Sequence, residues 1–237
     1  DIYIVDRYEA KEVADLQDSI ADTITSNTYV NGSVTLGADL TVNANQTLYI
    51  DGNLTTNGKI VTVEGTLIIS GNVSGDVDNN GSMTIKGVIS SGNVWSTKGS
   101  SLVVNGTQVL GGNDPLFTIT AGSGEMQVNA GGYCVRETDK GNSDAGTTGV
   151  SVTLNKSIAL SAGQALSVKN SGTLVLANGV VVTIADGAGM ELYEGATITN
   201  VASTTTDLSV SDNAIAGYQD YNNNSGSSTT VTAKTGA

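Results

Sequence analysis

Asp76, Asp78 and Asn80 stand at alternate positions ahead of Gly81, in the run Asp76-Val77-Asp78-Asn79-Asn80-Gly81. This is the first half of a calcium loop, in which alternate oxygens converge on a hard cation and glycine permits the sharp turn. Six residues after Gly81, where such a loop carries a bidentate Glu, the chain has Gly87. A calcium site here would have to borrow oxygens from a neighbouring stretch; otherwise the segment is a plain Asn-Gly corner. Paired carboxylates offer a second chemistry, since Glu191 with Glu194, or Asp186 with Glu194, could in principle hydrolyse a glycosidic bond. Both pairs lie near turns of an acidic chain and read as solvated surface.

The wider inventory is poor in catalytic groups. There is no histidine, so neither a Ser-His-Asp nor a Cys-His arrangement nor a common zinc or iron site can be built. Neither a phosphate-binding glycine loop nor a Gly-x-Ser-x-Gly elbow occurs. No catalytic residue and no cofactor is therefore assigned, calcium apart, and the chain is read as a non-enzyme. Cys134 is the single cysteine; it reads as a small buried hydrophobe within Tyr133-Cys134-Val135, with an intermolecular bridge as the alternative. Trp95, Tyr218 and Tyr221 are the aromatics that could stack on sugar rings, although three scattered rings do not make a platform.

Composition narrows the class. The net charge of −13, with Arg7 and Arg136 the only arginines, argues against nucleic acid and anionic membrane, both of which need clustered Lys and Arg. No run of about 18 apolar residues exists to span a bilayer. Asp1 is not a start methionine and no basic-then-apolar segment follows it, which fits either a signal already removed or a chain cut from something longer. Asn-X-Ser/Thr triplets begin at Asn31, Asn45, Asn53, Asn72, Asn80, Asn105, Asn155 and Asn223. In a chain so rich in Asn, Ser and Thr many arise by chance, but they are compatible with an extracellular surface that tolerates sugar.

The elements that must position these groups are short strands. Aromatics make up only 4% of residues and charged residues 14%, against 38% hydrophobic, with 30 glycines and one proline. Such a chain has too few large side chains for a thick globular core, and suits a narrow one filled by Val, Ile and Leu. Internal repetition is the dominant signal. Residues 165–204 divide without a gap into eights: ALSVKNSG, TLVLANGV, VVTIADGA, GMELYEGA and TITNVAST. Each opens with alternating apolar positions, Leu166/Val168, Leu174/Leu176, Val182/Ile184 and Met190/Leu192, and most close on small or turn residues. The first half repeats the scheme less evenly, through SVTL at 33, TLYIDG at 47, TLIISG at 66, SMTIKG at 82, SLVVNG at 101 and LFTI at 116.

These features predict an all-β parallel β-helix of three faces, with coils of about 19 to 25 residues and a right-handed sense on general chirality grounds. Two-sided coils of 16 would also fit residues 165–204, and an antiparallel sandwich would show similar strands and turns. Three parts are expected: residues 1–30, 31–204 as the solenoid, and 205–237 as a tail. Val13, Leu16, Ile20 and Ile24 have helical spacing, so residues 6–24 read as a short amphipathic helix covering the first coil. Ahead of it, Asp1 to Val5 reads as a strand without a local partner. No helical cap follows the last octad; the Asn/Ser-rich tail reads as a linker leading to a strand at TTVTA, 229–233. Residues 137–149 read as a loop. Ile2, Tyr3, Ile4 and Val5, with Thr230, Val231 and Thr232, are the expected subunit contacts, adding strands to a neighbouring copy.

Across residues 33–204, the alternation and the Gly/Asn corners resemble the parallel β-helices of bacterial and archaeal adhesin-like surface proteins. TLYIDG, TLIISG and SMTIKG also look like the short faces of bactofilin-type polymer-forming solenoids. The resemblance implies extracellular attachment or end-to-end polymerisation and carries over no functional residue. The resulting expectation is a secreted structural subunit of a self-assembling cell-surface filament or layer, with copies of itself as partner. The alternative is a monomeric adhesin or glycan-binding module of a larger surface protein.

Overall fold

The computed structural model describes residues 8–106, 115–121, 124–137 and 150–236. The protein is all-β, a parallel β-helix whose strands stack coil upon coil, and the three-faced reading holds. The chain divides into two compact units, Asp1–Pro115 and Leu116–Ala237.

In the first unit, one face stacks Glu9–Lys11, Thr28–Asn31, Thr47–Asp51, Thr66–Ile69, Ser82–Ile85 and Ser101–Val104 in that order. A second, shorter face stacks Val34–Thr35, Leu54–Thr55, Val73–Ser74 and Ile89–Ser91, and a third stacks Asp22–Ile24, Leu40–Val42, Val61–Val63, Val77–Asn79 and Asn93–Ser96. Every pairing among these is parallel, and all but Val73–Ser74 with Ile89–Ser91, where the register shifts, keep register, so like side chains fall into columns. Leu48, Leu67, Met83 and Leu102 form one inward column, and Val30, Ile50, Ile69 and Ile85 another, all essentially inaccessible. Each such side chain removed from water contributes on the order of 1.5–3 kcal/mol.

The corners hold the coils in step. The backbone N–H of Asn53 donates to Ser33 Oγ at 2.9 Å, that of Asn72 to Asn53 Oδ1 at 2.8 Å, and that of Val88 to Asn72 Oδ1 at 3.0 Å. One polar side chain per coil thus satisfies the exposed amide of the next, where strand pairing has lapsed. Beside this ladder run Gly52, Gly71 and Gly87, where a Cβ would collide with the backbone or the Asn side chain of the coil beneath. That close approach, rather than a special dihedral angle, is what requires glycine there.

The first coil corrects the expected helix over residues 6–24. Among the described residues of that stretch only Val13–Gln17 is helical, and strands Glu9–Lys11 and Asp22–Ile24 flank it. Leu16 is buried, and its carbonyl accepts the Gly37 N–H at 3.1 Å, so the single helical turn takes the place of a strand on the short face. Ile20 is 72% exposed, which a continuous amphipathic helix would not allow. The backbone demand of pairing Glu9–Lys11 with Thr28–Val30 and Asp22–Ile24 with Leu40–Val42 outweighs the helical spacing of four apolar residues.

In the second unit the octads become geometry. Ala165 lies against Gly189 and Thr173 against Thr197, a step of 24 residues, so three octads make one coil and the 16-residue alternative fails. Leu166, Val168, Leu174, Leu176, Val182, Ile184, Met190 and Leu192 all point inward at 0% exposure, as the alternation requires. An antiparallel hairpin, Gly124–Asn129 with Gly132–Glu137, and the strand Phe117–Ala121, antiparallel to Ser151–Leu154, lie ahead of these coils. The segment 137–149, expected as a loop, lies outside the described residues apart from Glu137.

Candidate functional site: a reverse-wound closing coil

Three octads wind forward through Thr173–Leu176, Val181–Ile184 and Gly189–Leu192 before the chain reaches Thr197–Thr199. It then turns back. Asp212 and Asn213, at φ 46° and 65°, form a two-residue left-handed turn between Val210–Ser211 and Ala214–Ala216, the geometry of a tight hairpin. From there Ala214–Ala216 pairs antiparallel with Thr197–Thr199, Gln219–Asn222 with Gly189–Leu192, and Thr229–Ala233 with Val181–Ile184. The tail visits the three faces in reverse order and lays one antiparallel strand on each.

Residues 205–237, expected as a tail without a helical cap and with a possible exchanged strand, hold no helix among the described residues and fold back on the solenoid. The segment is itself the closing coil. Ile215, Val231 and Ala233 are buried at 1% exposure or less, extending the inward columns. Thr230, Val231 and Thr232, expected as unpaired subunit contacts, have both strand edges occupied within the chain. Thr230 and Val231 lie opposite Thr183 and Val182 on one side, and Val231 and Thr232 lie opposite Thr204 and Ser203 on the other. The Asn/Ser-rich stretch is ordered by its own hydrogen bonds: Asn223, fully buried, donates from Nδ2 to the carbonyls of Ile184 and Ser227 at 2.8 and 2.7 Å. The Gly226 N–H reaches Asp186 Oδ1 at 2.9 Å. Ile2, Tyr3, Ile4 and Val5 lie outside the described residues.

The calcium candidate lies along a strand. Val77–Asn79 is a strand, so Asp76, Asp78 and Asn80 project along its outward side instead of curling around a point. Asp76 Oδ1 accepts from the N–H and Nδ2 of Asn93 on the next coil, while Asn80 accepts from Thr97 Oγ1 on that same coil and donates to Glu64 Oε1 on the preceding one. Positions two apart in an extended strand are about 6.6 Å apart, too far for three residues to share a cation ligated at 2.3–2.6 Å. Gly81 is required because it stacks directly on the backbone of Glu64 and Gly65. Among the described residues no group of three or more His, Cys, Asp or Glu is placed to hold a metal ion.

The carboxylates suggested for glycoside chemistry serve separate neighbours. Glu191 receives Ser167 Oγ at 3.0 Å and lies opposite Asp220 on the closing coil; Asp186 receives Gly226; Glu194 is exposed at a corner. Of the aromatics singled out, Trp95 is buried, Tyr221 comes within 3.3 Å of Thr229 Oγ1, and Tyr218 is exposed. Cys134 is half-buried on the outward side of its strand, opposite Gln127 and Ser167. Sequence reasoning missed a polar aromatic cluster on the first unit. Tyr29 and Tyr49 stack at 5.4 Å, Tyr29 Oη donates to Asp51 at 2.8 Å, and Lys86 Nζ donates to Tyr49 Oη at 2.9 Å. Burial and the adjacent Asp51 carboxylate raise the Tyr29 hydroxyl to about 12, while hydrogen bonds from Ser70 and Tyr29 hold Asp51 below the usual carboxylate range. The spacing of Tyr29 and Tyr49, one coil apart, was the available signal.

None of the family models, curated proteins or solved structures compared with the chain matches it. Among the described residues no helix is long and apolar enough to cross a membrane.

Proposed function

We propose that the protein is a secreted, non-catalytic structural protein of the cell surface, a subunit of a filament or layer built from copies of itself. The observation that carries this reading is where the polar side chains of the corners go. Ser33, Asn53, Asn72, Asp39, Asp76 and Ser157 each accept a backbone N–H of the next coil. Chemistry that an enzyme would aim at a substrate is aimed here along the stacking direction, which favours a stiff element with a mechanical role.

Strand addition to a neighbour is retained at one place. In the first unit, Glu9–Lys11 and Asp22–Ile24 stand last in their sheets, and among the described residues nothing pairs with their outer edges. Such an edge accepts an extended segment through main-chain hydrogen bonds. The closing coil of the second unit favours the alternative, a monomeric adhesin or glycan-binding module, because it occupies strand edges that would otherwise recruit a partner. Negative-stain microscopy with sedimentation over rising concentration decides between them. Filaments or sheets that vanish on deleting residues 1–5 support assembly. A chain that stays monomeric at high concentration sinks it and brings the adhesin module forward.

A further inference from the structure

The eight Asn-X-Ser/Thr triplets are not equivalent once folded. Asn223 is fully buried, with its amide donating to Ile184 and Ser227. Asn53 and Asn72 are rungs of the corner ladder, each Oδ1 holding the next coil's N–H. Asn80 is tied through both amide atoms to Glu64 and Thr97, and Asn155 Nδ2 donates to Thr118 Oγ1. At Asn31 the third residue is committed, since Ser33 Oγ accepts the Asn53 N–H. The triplet at Asn105 ends on Thr107, outside the described residues. The amides of Asn53, Asn72, Asn80, Asn155 and Asn223 thus belong to the fold's own grammar.

Asn45-Gln46-Thr47 differs. Asn45 is exposed, at φ 65°, in the turn that the Gln46 N–H to Asn43 carbonyl bond closes at 3.1 Å. Four residues, 43–46, separate Leu40–Val42 from Thr47–Asp51, whereas two, 64–65, separate Val61–Val63 from Thr66–Ile69 on the coil stacked next. This longer corner joins the third face to the first, away from the Ser33–Asn53–Asn72 ladder, and leaves Asn45 exposed. Neither its side-chain amide nor the Thr47 hydroxyl makes a hydrogen bond within the described structure.

We propose that Asn45 is an N-glycan acceptor of the folded protein. Its Nδ2 attacks the anomeric carbon of a lipid-pyrophosphate-linked oligosaccharide: a C–N bond forms, the C–O bond to the pyrophosphate breaks, and one amide proton is lost as the lipid pyrophosphate departs. The Thr47 hydroxyl is the recognition element that such transferases require at the third position. The assignment rests on the cell-surface reading for its biological setting, but the chemistry can be tested without it.

The folded protein is incubated with an oligosaccharyltransferase that accepts Asn-X-Ser/Thr and its lipid-linked donor, then analysed by intact mass and peptide mapping. One glycan on Asn45 is expected. It is lost in Asn45→Gln and in Thr47→Val, and kept in Asn53→Gln and Asn72→Gln, with circular dichroism confirming that each variant is folded. A glycan placed chiefly on another asparagine, or an unmodified folded chain when a peptide spanning 41–49 is modified, overturns the assignment. Because the reaction is run on purified protein, its failure is separate from a failure of the surface reading, which microscopy tests.

Discussion

Val231 lies opposite Val182 across an antiparallel step, in a face whose other solenoid strands, Ile158–Leu160 and Val181–Ile184, run parallel. Both side chains are inaccessible, so the returning tail shares the core of the coil it closes. Deleting residues 214–237 exposes the edges of all three faces. Loss of the buried Ile215 and Val231 alone costs about 3–6 kcal/mol, and the bared edges invite association. The truncated chain should melt on the order of 10 °C lower and elute as soluble aggregate. A monomer of unchanged Tm would show that the tail is dispensable.

Leu174 occupies an inward column with Val152, Ile198 and, through the closing coil, Ile215. Leu174→Asp places an unpaired carboxylate in that column, a change expected to cost about 3–5 kcal/mol or to abolish folding. Circular dichroism and thermal melting read it directly; Val175→Asp, on the outward side of the same strand, is the control that should fold.

Asn79 falls in the column Val42, Val63, Asn79, Ser96, where apolar residues give way to polar ones. Its Nδ2 donates to Ser96 Oγ at 3.0 Å and to the Ser101 carbonyl at 2.9 Å, but Oδ1 is buried with no partner. Exchanging the side-chain pair, Asn79→Val with Ser96→Val, removes that orphan acceptor and continues the apolar column, while giving up the bond to the Ser101 carbonyl. Stability should rise by about 1 kcal/mol, read as a higher urea midpoint at unchanged m. Destabilisation would mean that the polar pair holds register.

The Tyr29 and Asp51 pair sets two pH limits. Tyr29 is raised to about 12 in the fold, so its contribution is complete below the ordinary tyrosine value near 10 and falls away as pH rises toward 12. Asp51 is lowered, so its contribution is present above the ordinary aspartate value near 4 and falls away on acidification. Tyr29→Phe should flatten the alkaline limb of a Tm-against-pH profile and weaken the acid limb, because Asp51 loses one of its two hydrogen-bond donors. An unchanged alkaline limb would assign that loss to other groups.

The inward face was open to reading from the chain. Leu174/Leu176 and Val182/Ile184 alternate because one side of each strand is buried, and the octad step fixed where each corner fell. The reversal at Asp212 was not, because period-2 alternation is identical in parallel and antiparallel strands. TTVTA looked like a strand either way, and its direction is set by partners far along the chain. The one local sign was Asp212-Asn213, two turn-forming residues between Val210 and Ala214. The calcium pattern misled for a related reason. Its alternate oxygens are also what an outward strand face presents, and nothing within six residues tells a loop from a strand. In residues 6–24, helical spacing competed with pairing to coils laid down later, and the pairing prevailed.

The 24-residue step between Ala165 and Gly189 makes length a quantised property of this chain. A tandem duplication of residues 173–196 would set a second Thr173 over the first, extend every inward column, and still offer the returning tail the same three strands to meet. A single inserted residue in any of those strands would instead turn its apolar positions to solvent. Relatives should therefore differ by whole coils rather than by scattered insertions, and their heredity should be legible as copy number.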